Sequence, residues 1–148
     1  KTVLDAVRIA QQRCRWLRFA PSAEETAKDS PFTRPGVILE ALLRLDEVAR
    51  EYTEGNSGRP IRDSAEEKGL RWASDVSDTI RSNRRLDRFY TYTYQGEKLR
   101  LGPHVSLGSG AGAGNIARIY MTAHPGSDQV PRGLIVGHVG VHLPDSTT

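Results

Sequence analysis

Apolar residues recur at helical spacing in the first third of the chain. Within residues 1–19 they step by four and three, which is the seam spacing of a coiled coil. These positions are Val3, Val7, Ala10, Cys14 and Leu17. A longer stripe follows Thr33 and Pro35, residue types that cap and open helices, and extends to Gly55. It comprises Ile38, Leu42, Leu45, Ala49 and Tyr52. We therefore expect an N-terminal helix able to pair with a second copy, and then a core-facing helix.

Two shorter helices are expected next, and strands after them. Ser64 and Glu67 fit a capping box for a helix that ends at Gly69. Another helix is expected over residues 70–82, where three apolar residues share one side: Trp72, Val76 and Ile80. From residue 89 onward the pattern favours strands, which we expect at residues 89–94, 97–101, 116–122 and 134–141.

The first two strands are expected to form a hairpin around the two-residue turn Gln95-Gly96. This turn pairs Tyr94 with Glu97, Tyr92 with Leu99 and Tyr90 with Leu101. Because side chains alternate between the two faces of a strand, the tyrosines and leucines share one face. The opposite face carries Thr91, Thr93, Lys98 and Arg100. The register therefore predicts a buried aromatic face and a basic outer face.

The order of these elements predicts an α+β fold, in which N-terminal helices are followed by a four-stranded antiparallel sheet meander. We divide the chain into residues 1–30, an N-terminal helix with a linker, and residues 31–148, the α+β domain. The chain begins at Lys1, within a helical pattern. We interpret it as a fragment of a longer protein, with residues 1–19 as an association helix that makes a homo-oligomer.

Composition narrows the class of protein. The chain has 148 residues, of which 37% are hydrophobic and 26% charged, as is typical of a soluble globular domain. This excludes collagen, a membrane bundle and a wholly disordered chain. The single cysteine, Cys14, excludes an internal disulfide and agrees with a reducing, cytoplasmic setting.

The positive charge comes mainly from arginine. There are 17 Arg and 4 Lys, and the net charge is +3. Arginine is the forked donor that suits phosphate, although a GC-rich genome also raises its frequency. One basic cluster lies within residues 1–19. A second surrounds Asp87 and, with the basic face of the hairpin, supplies the candidate nucleic-acid contacts Arg81, Arg84, Arg85, Arg88, Lys98 and Arg100. The ordinary alternative is a solvated charged face.

Two further motifs are candidates for chemistry. The glycine-rich segment 108–114 matches neither the Walker loop nor the dinucleotide fingerprint, so it is interpreted as a flexible connector. His104, His138 and His142 could together hold zinc, but the chain has no H-E-x-x-H motif and only one cysteine. We therefore expect no metal and no other cofactor. Packing and acid–base catalysis remain the alternatives for these histidines.

The last third of the chain resembles the closing hairpin of the bacterial RelE/ParE toxin superfamily. The resemblance lies in an arginine-bearing strand, residues 117–121, and in an apolar strand that carries a histidine, residues 133–140. With the preceding helices and hairpin it covers about residues 61–143. The same residues also look like the C-terminal part of uncharacterised actinobacterial proteins.

The toxin resemblance implies a function and a site. Members of toxin–antitoxin systems cut mRNA or inhibit gyrase, and the ribonucleases use the RNA's own 2′-hydroxyl without a metal. By position, Arg118 would hold phosphate, His138 or His142 would transfer protons, and Tyr120 would stack on a base. The expectation is a RelE-like nucleic-acid-binding domain, with RNA favoured over DNA, and more specifically an endoribonuclease. Since Val139 stands where many members have arginine, the alternative is a catalytically inactive module that binds protein or DNA and pairs through its first helix.

Overall fold

The computed structural model describes residues 1–55, 58–76, 80 and 82–145. In chain order its elements are α1 (Val3–Arg13), β1 (Arg18–Phe19), α2 (Pro21–Lys28), α3 (Pro35–Glu54), α4 (Ile61–Glu67), β2 (Arg71–Ala73), α5 (Arg84–Asp87), a 3-10 turn (Arg88–Tyr90), β3 (Thr91–Tyr94), β4 (Glu97–Arg100), β5 (His104–Gly108), β6 (Ile116–His124) and β7 (Gly133–Gly140). This mixture of helices and mainly antiparallel strands confirms the α+β class. Within the described ranges, none of the helices combines the length and the apolar character needed to cross a membrane.

Local chemistry accounts for where the helices begin and end. Thr2 and Asp5 form a reciprocal capping box at the start of α1. The predicted helix over residues 1–19 stops at Arg13, because the Asp46 carboxylate accepts the backbone N–H groups of residues 15–17 at 2.8–3.2 Å. The α3 prediction is confirmed: the helix begins at Pro35 and ends before Gly55, whose φ of +68° suits glycine.

The main sheet has five strands in the order β1-β7-β6-β5-β2, with β1 parallel to β7 and the other pairs antiparallel. The predicted four-stranded meander is therefore wrong in detail: β3 and β4 form their own two-stranded sheet, and β1, β2 and β5 join the main one. The predicted helix over residues 70–82 is also wrong at its start, where β2 pairs Trp72 with Val105. Strands β1 and β2 have only two and three residues, too few for a clear alternation to show.

One face of the main sheet packs against helices α1 to α3. Its core includes Val105, Ile119 and Val136 from the sheet, together with Leu42 and Val7 from the helices. The apolar side of α1 is buried in this core: Val3, Ala6, Val7 and Ala10. The stripe that predicted pairing of residues 1–19 is thus used within the chain, and α1 and α2 share one core with the rest of the fold.

The β3–β4 hairpin and the residues after β7 cover the opposite face, which we call the outer face. The predicted register is confirmed, since Tyr94 pairs with Glu97 and Tyr92 with Leu99. The inward residues Tyr90, Tyr94, Leu99 and Leu101 are buried, and Tyr92 is half-buried. The opposite side of the hairpin exposes Thr93, Lys98 and Arg100. The aromatic inner face and the basic outer face are therefore both as predicted.

A β-bulge brings the hairpin close to the sheet. Tyr120 pairs with His138 and Met121 with Val136, which leaves Gly137 as the extra residue of β7. An added Cβ on Gly137 would lie 2.7 Å from Leu101 and 2.9 Å from the Tyr92 ring. The absence of a side chain at this position therefore allows the hairpin to pack directly on β7.

Glu51 joins α3 to α4 through a polar network. Its carboxylate accepts hydrogen bonds from Lys68 Nζ at 2.9 Å, from Ser64 Oγ at 2.9 Å and from the guanidinium of Arg59. The hydrogen bond from Lys68, with those from Ser64 and Arg59, lowers the pKa of Glu51 to about 2, against the desolvation that raises it. Ser64 thus serves this network rather than capping a helix, because α4 already begins at Ile61.

We expect Gly137→Ala to lower the free energy of unfolding by about 1–3 kcal/mol, because the new methyl group would press on Tyr92 and Leu101. Urea denaturation measures this difference. Gly36→Ala is the matched control, since its methyl group would meet no atom within 4 Å. Equal unfolding free energies for the two variants would contradict the packing of the hairpin on the bulge.

We expect Glu51→Gln to lower the stability of the protein near neutral pH. The variant should also lose less stability than the parent as the pH falls toward 2. A pKa lowered from 4.5 to about 2 means that the ionised carboxylate stabilises the folded state above pH 4.5, and that this contribution disappears as pH falls toward 2. Thermal melts at several pH values measure both effects. Glu40→Gln, which removes a carboxylate 63% exposed on the same helix, is the control and should leave the pH profile unchanged.

Candidate functional site

A row of three rings crosses the outer face of the main sheet. The strand register places His104 beside Tyr120 and Tyr120 beside His138, so all three side chains lie on that face. Ring centroids are 4.9 Å apart for His104 and Tyr120, and 5.4 Å apart for Tyr120 and His138. Tyr90 meets Tyr120 edge-on at 5.9 Å. Tyr120 is consequently buried and forms the floor of the site.

Arg118 lies two residues before Tyr120 on the same strand, and so on the same face. It is opposite Ser106 on β5 and Gly140 on β7. Its side chain is half-buried, yet it makes no hydrogen bond or ion pair with any residue that the structure describes. A guanidinium in this position has its donors available for an anionic ligand.

Two cavities open beside Arg118, and together we call them the outer groove. The larger, of about 390 Å³, is lined by Arg71, Ser106, Gly108, Ser109, Arg118 and His142. The smaller, of about 190 Å³, is lined by Tyr90, His104, Arg118, Tyr120, His142 and Asp145. Because Arg118 and His142 line both cavities, these two residues stand at the centre of the outer groove.

The glycine-rich segment 108–114 is a connection before β6, as predicted, but it follows β5, a strand that the prediction did not contain, and it forms one rim of the larger cavity. Gly108 has a φ of +80°, and a Cβ there would lie 2.0 Å from the carbonyl oxygen of Asn115. The chain therefore turns back on itself at a position that only glycine can occupy without strain. Arg71 Nη2 donates to the Gly108 carbonyl at 2.5 Å, which places that arginine at the same rim.

The residues after β7 lie against the smaller cavity and are held there by hydrogen bonds. The Leu143 N–H donates to the Tyr120 hydroxyl at 3.2 Å, and the Tyr90 hydroxyl donates to the Pro144 carbonyl at 3.0 Å. His142 Nε2 lies 3.3 Å from Asp145 Oδ2, and the two form an ion pair when His142 carries its second proton. These contacts fix His142 at the centre of the outer groove.

The four histidines occupy different environments. His138 is 5% exposed and its Nε2 donates to the Val141 carbonyl at 2.7 Å, while burial lowers its pKa. His104 is 8% exposed, and burial, assisted by nearby positive groups, lowers its pKa as well. His124 lies elsewhere and donates from Nε2 to Glu97 at 2.7 Å. The zinc alternative does not fit this geometry, because the Tyr120 ring separates His104 from His138.

The second predicted cluster forms a basic patch beside the outer groove. Arg84 and Arg85 on α5, Arg88 on the 3-10 turn, and Lys98 and Arg100 on β4 are all exposed. Arg100 forms an ion pair with Asp87, which links β4 to α5. Arg81 lies outside the described residues. Arg88 lies two residues before Tyr90, which lines the smaller cavity, so the 3-10 turn connects the basic patch to the groove along the chain.

The structure brings together three of the four predicted catalytic residues. Arg118, Tyr120 and His142 line the smaller cavity. His138 shares their face but lies beside Tyr120, on the side away from His104, and lines neither cavity of the outer groove. The sequence pattern had placed Arg71 in a predicted helix and His104 in a predicted connection. It therefore did not indicate that these two residues line the groove. The alternation from His104 to Leu107 was the signal that could have revealed β5.

Comparison with known proteins gives no match to a family model, to a curated protein or to a solved structure. The resemblance of residues 61–143 to the RelE/ParE superfamily therefore stays a prediction. The geometry of the outer groove and the basic patch is what supports a function for this chain.

Proposed function

We propose that this chain is a nucleic-acid-binding domain that holds a single RNA strand along the outer groove and the basic patch. The observation that carries the proposal is Arg118: a guanidinium without a protein partner among the described residues, between two polar cavities. An arginine in such a place is suited to a phosphate group, since its donors match phosphate oxygens in pairs.

The larger cavity has the chemistry that a phosphodiester needs. Arg71 and Arg118 supply positive charge, and Ser106 and Ser109 supply hydroxyl donors. Its walls offer no carboxylate that would repel a phosphate, as far as the described lining residues go. An RNA strand bound in this cavity would place one phosphate against Arg118. The sugar next to that phosphate would then lie toward the smaller cavity.

The basic patch supports a longer, single-stranded ligand. Its exposed charges extend the positive surface past Tyr90, where further phosphates would meet them. Phe89 is 40% exposed, and the Arg88 guanidinium lies 5.0 Å from its ring centroid. An exposed aromatic ring among arginines is a platform on which an unpaired base stacks, which favours a single strand over a duplex.

A second candidate function is metal-independent cleavage of the bound RNA, as the toxin resemblance implies. It is favoured by the pairing of His142 with Asp145 next to Arg118, which sets an acid–base group beside the phosphate site. His142 rather than the buried His138 would then transfer the proton. Cleavage of mRNA would imply a cytoplasmic site of action. A module that binds RNA without cutting it is the outcome if this candidate fails.

We expect Arg118→Ala to weaken binding of a labelled single-stranded RNA by about 10- to 100-fold, as for loss of a charged hydrogen-bonding partner. Fluorescence anisotropy at fixed salt measures the affinity. Arg62→Ala, which removes the same charge from an exposed site on α4, is the control and should change binding little. Equal effects of the two substitutions would show that only net charge matters and would contradict a phosphate site at Arg118.

We expect the substitution of Arg84, Arg85 and Arg88 together by Gln to make RNA binding less sensitive to salt. Each phosphate contact to a single strand contributes about −0.7 to the slope of log K against log salt, so the slope should become about 2 less steep. Titrations at four or five salt concentrations give this slope. Parallel lines for the variant and the parent would exclude the basic patch from the RNA interface.

A further inference from the structure

His104 is a buried, titratable side chain in the wall of the outer groove that the proposed function leaves without a role. It faces outward from β5, and its ring stacks on Tyr120 with a centroid distance of 4.9 Å. The same ring lines the smaller cavity together with Arg118 and His142. A histidine needed only for packing would not have to face a phosphate-binding arginine.

The hydrogen bonds of His104 determine which ring nitrogen carries the proton. Nδ1 lies 3.0 Å from the Gly102 carbonyl oxygen, and since a carbonyl can only accept, Nδ1 is the donor. The Gly102 N–H in turn donates to the Met121 carbonyl at 3.0 Å, which anchors the acceptor to β6. In the neutral ring the lone pair is therefore on Nε2, and Nε2 has no hydrogen-bond partner among the described residues. This arrangement leaves a proton acceptor on the cavity wall.

The groups around His104 favour its neutral form. Arg118 faces it from β6, His142 and Asp145 from the residues after β7, Asp75 from the segment after β2, and Tyr90 from the 3-10 turn. Burial lowers the pKa of His104 most, and the positive charges of Arg118 and His142 lower it further, while the hydrogen bond to Gly102 opposes them. His104 is therefore unprotonated near neutral pH and able to accept a proton.

We propose that His104 is the general base and His142 the general acid of a phosphodiester transfer in the outer groove, with Arg118 holding the phosphate between them. This inference rests on the proposed function, because it requires RNA in the groove. It gives His104, for which the sequence had left packing and acid–base catalysis open, the specific role of base, and it keeps the substrate with a free 2′-hydroxyl group that the toxin resemblance implies.

The step balances without any further reactant. His104 Nε2 takes the proton of the 2′-hydroxyl as the 2′-oxygen bonds to phosphorus. The bond from phosphorus to the 5′-oxygen breaks, and that oxygen takes a proton from His142, whose Nε2 faces Asp145 and whose Nδ1 is the other proton-carrying nitrogen. The products are a 2′,3′-cyclic phosphate and a 5′-hydroxyl end. Arg118 stabilises the negative charge that builds on the phosphate oxygens during the step.

His138 provides a matched control, because it flanks Tyr120 on the opposite side from His104. Its ring lies 5.4 Å from Tyr120, it is also buried, and its Nε2 is committed to the Val141 carbonyl. Substitution of either histidine removes packing against Tyr120. Only substitution of His104 removes a proton acceptor from the cavity.

The first test measures cleavage and binding separately with the whole chain. We expect His104→Gln to slow single-turnover cleavage of an RNA oligonucleotide by about 10²- to 10⁴-fold, whereas His138→Gln retains cleavage. Both variants should bind a 2′-O-methyl RNA, which cannot react, within about twofold of the parent. Equal loss of cleavage in both variants, or full cleavage by His104→Gln, would overturn the proposal. A parent that binds the 2′-O-methyl RNA but cuts nothing also overturns it and leaves the proposed binding function standing, while a parent that does not bind overturns that function itself.

The second test assigns the two roles, and its pH profile is measured on the parent chain alone. A substrate with sulfur in place of the bridging 5′-oxygen has a leaving group that needs no acid. With it, the parent rate should rise with pH through one ionisation below 6.5, the ordinary pKa of histidine, because the pKa of His104 is lowered. His142→Ala should recover a rate near that of the parent on this substrate, whereas His104→Gln should not. Recovery by His104→Gln instead, or a parent rate that does not depend on pH, would overturn the assignment.

Discussion

The pairing of β6 with β7 is the constraint on which the rest of this structure depends. All eight residues of β7 are buried, because helices cover one face of the strand and the hairpin covers the other. The register of this pair decides that Ile119 and Val136 enter the helical core, while Arg118 and Tyr120 face the outer layer. A shift of one residue would turn the outward residues of β6 toward the helices and the inward ones away from them. Arg118 would then be buried in an apolar core, where an unpaired charge lowers the stability of the fold. The bulge at Gly137 adjusts this register locally, and so lets the outer layer close over it.

The outer layer creates the groove by covering the sheet only in part. The hairpin and Leu143 bury Tyr90 and Tyr120, which gives the site a rigid aromatic floor. Beyond them Ser106 and Arg118 line the larger cavity, and the turn at Gly108 forms one rim of it. A polar groove thus lies at the edge of an apolar layer, where side chains are held in place by packing and can still reach a ligand.

Electrostatics divides the groove into parts with different chemistry. Arginines line the larger cavity, where positive charge would hold a phosphate. In the smaller cavity burial keeps His104 neutral, whereas His142 stands beside a carboxylate. Two imidazoles in unlike surroundings therefore line one cavity together with Arg118.

The sequence by itself determined the elements whose signals are local. The α3 helix follows from its apolar stripe and its proline and glycine boundaries, and the hairpin register follows from a two-residue turn with alternating tyrosines. Only the tertiary structure decided how those elements combine. Strands β1 and β2 have two and three residues, so they exist only through their partners, and the end of α1 depends on Asp46 from a distant helix. The same holds for the site, where the sequence singled out Arg118 and His142. His104 and His138 are both buried, and they differ because His104 lines the smaller cavity, whereas the Nε2 of His138 donates to the Val141 carbonyl. Contacts between residues far apart in the chain leave no periodic pattern, and for that reason the sequence could name the candidate groups but not arrange them.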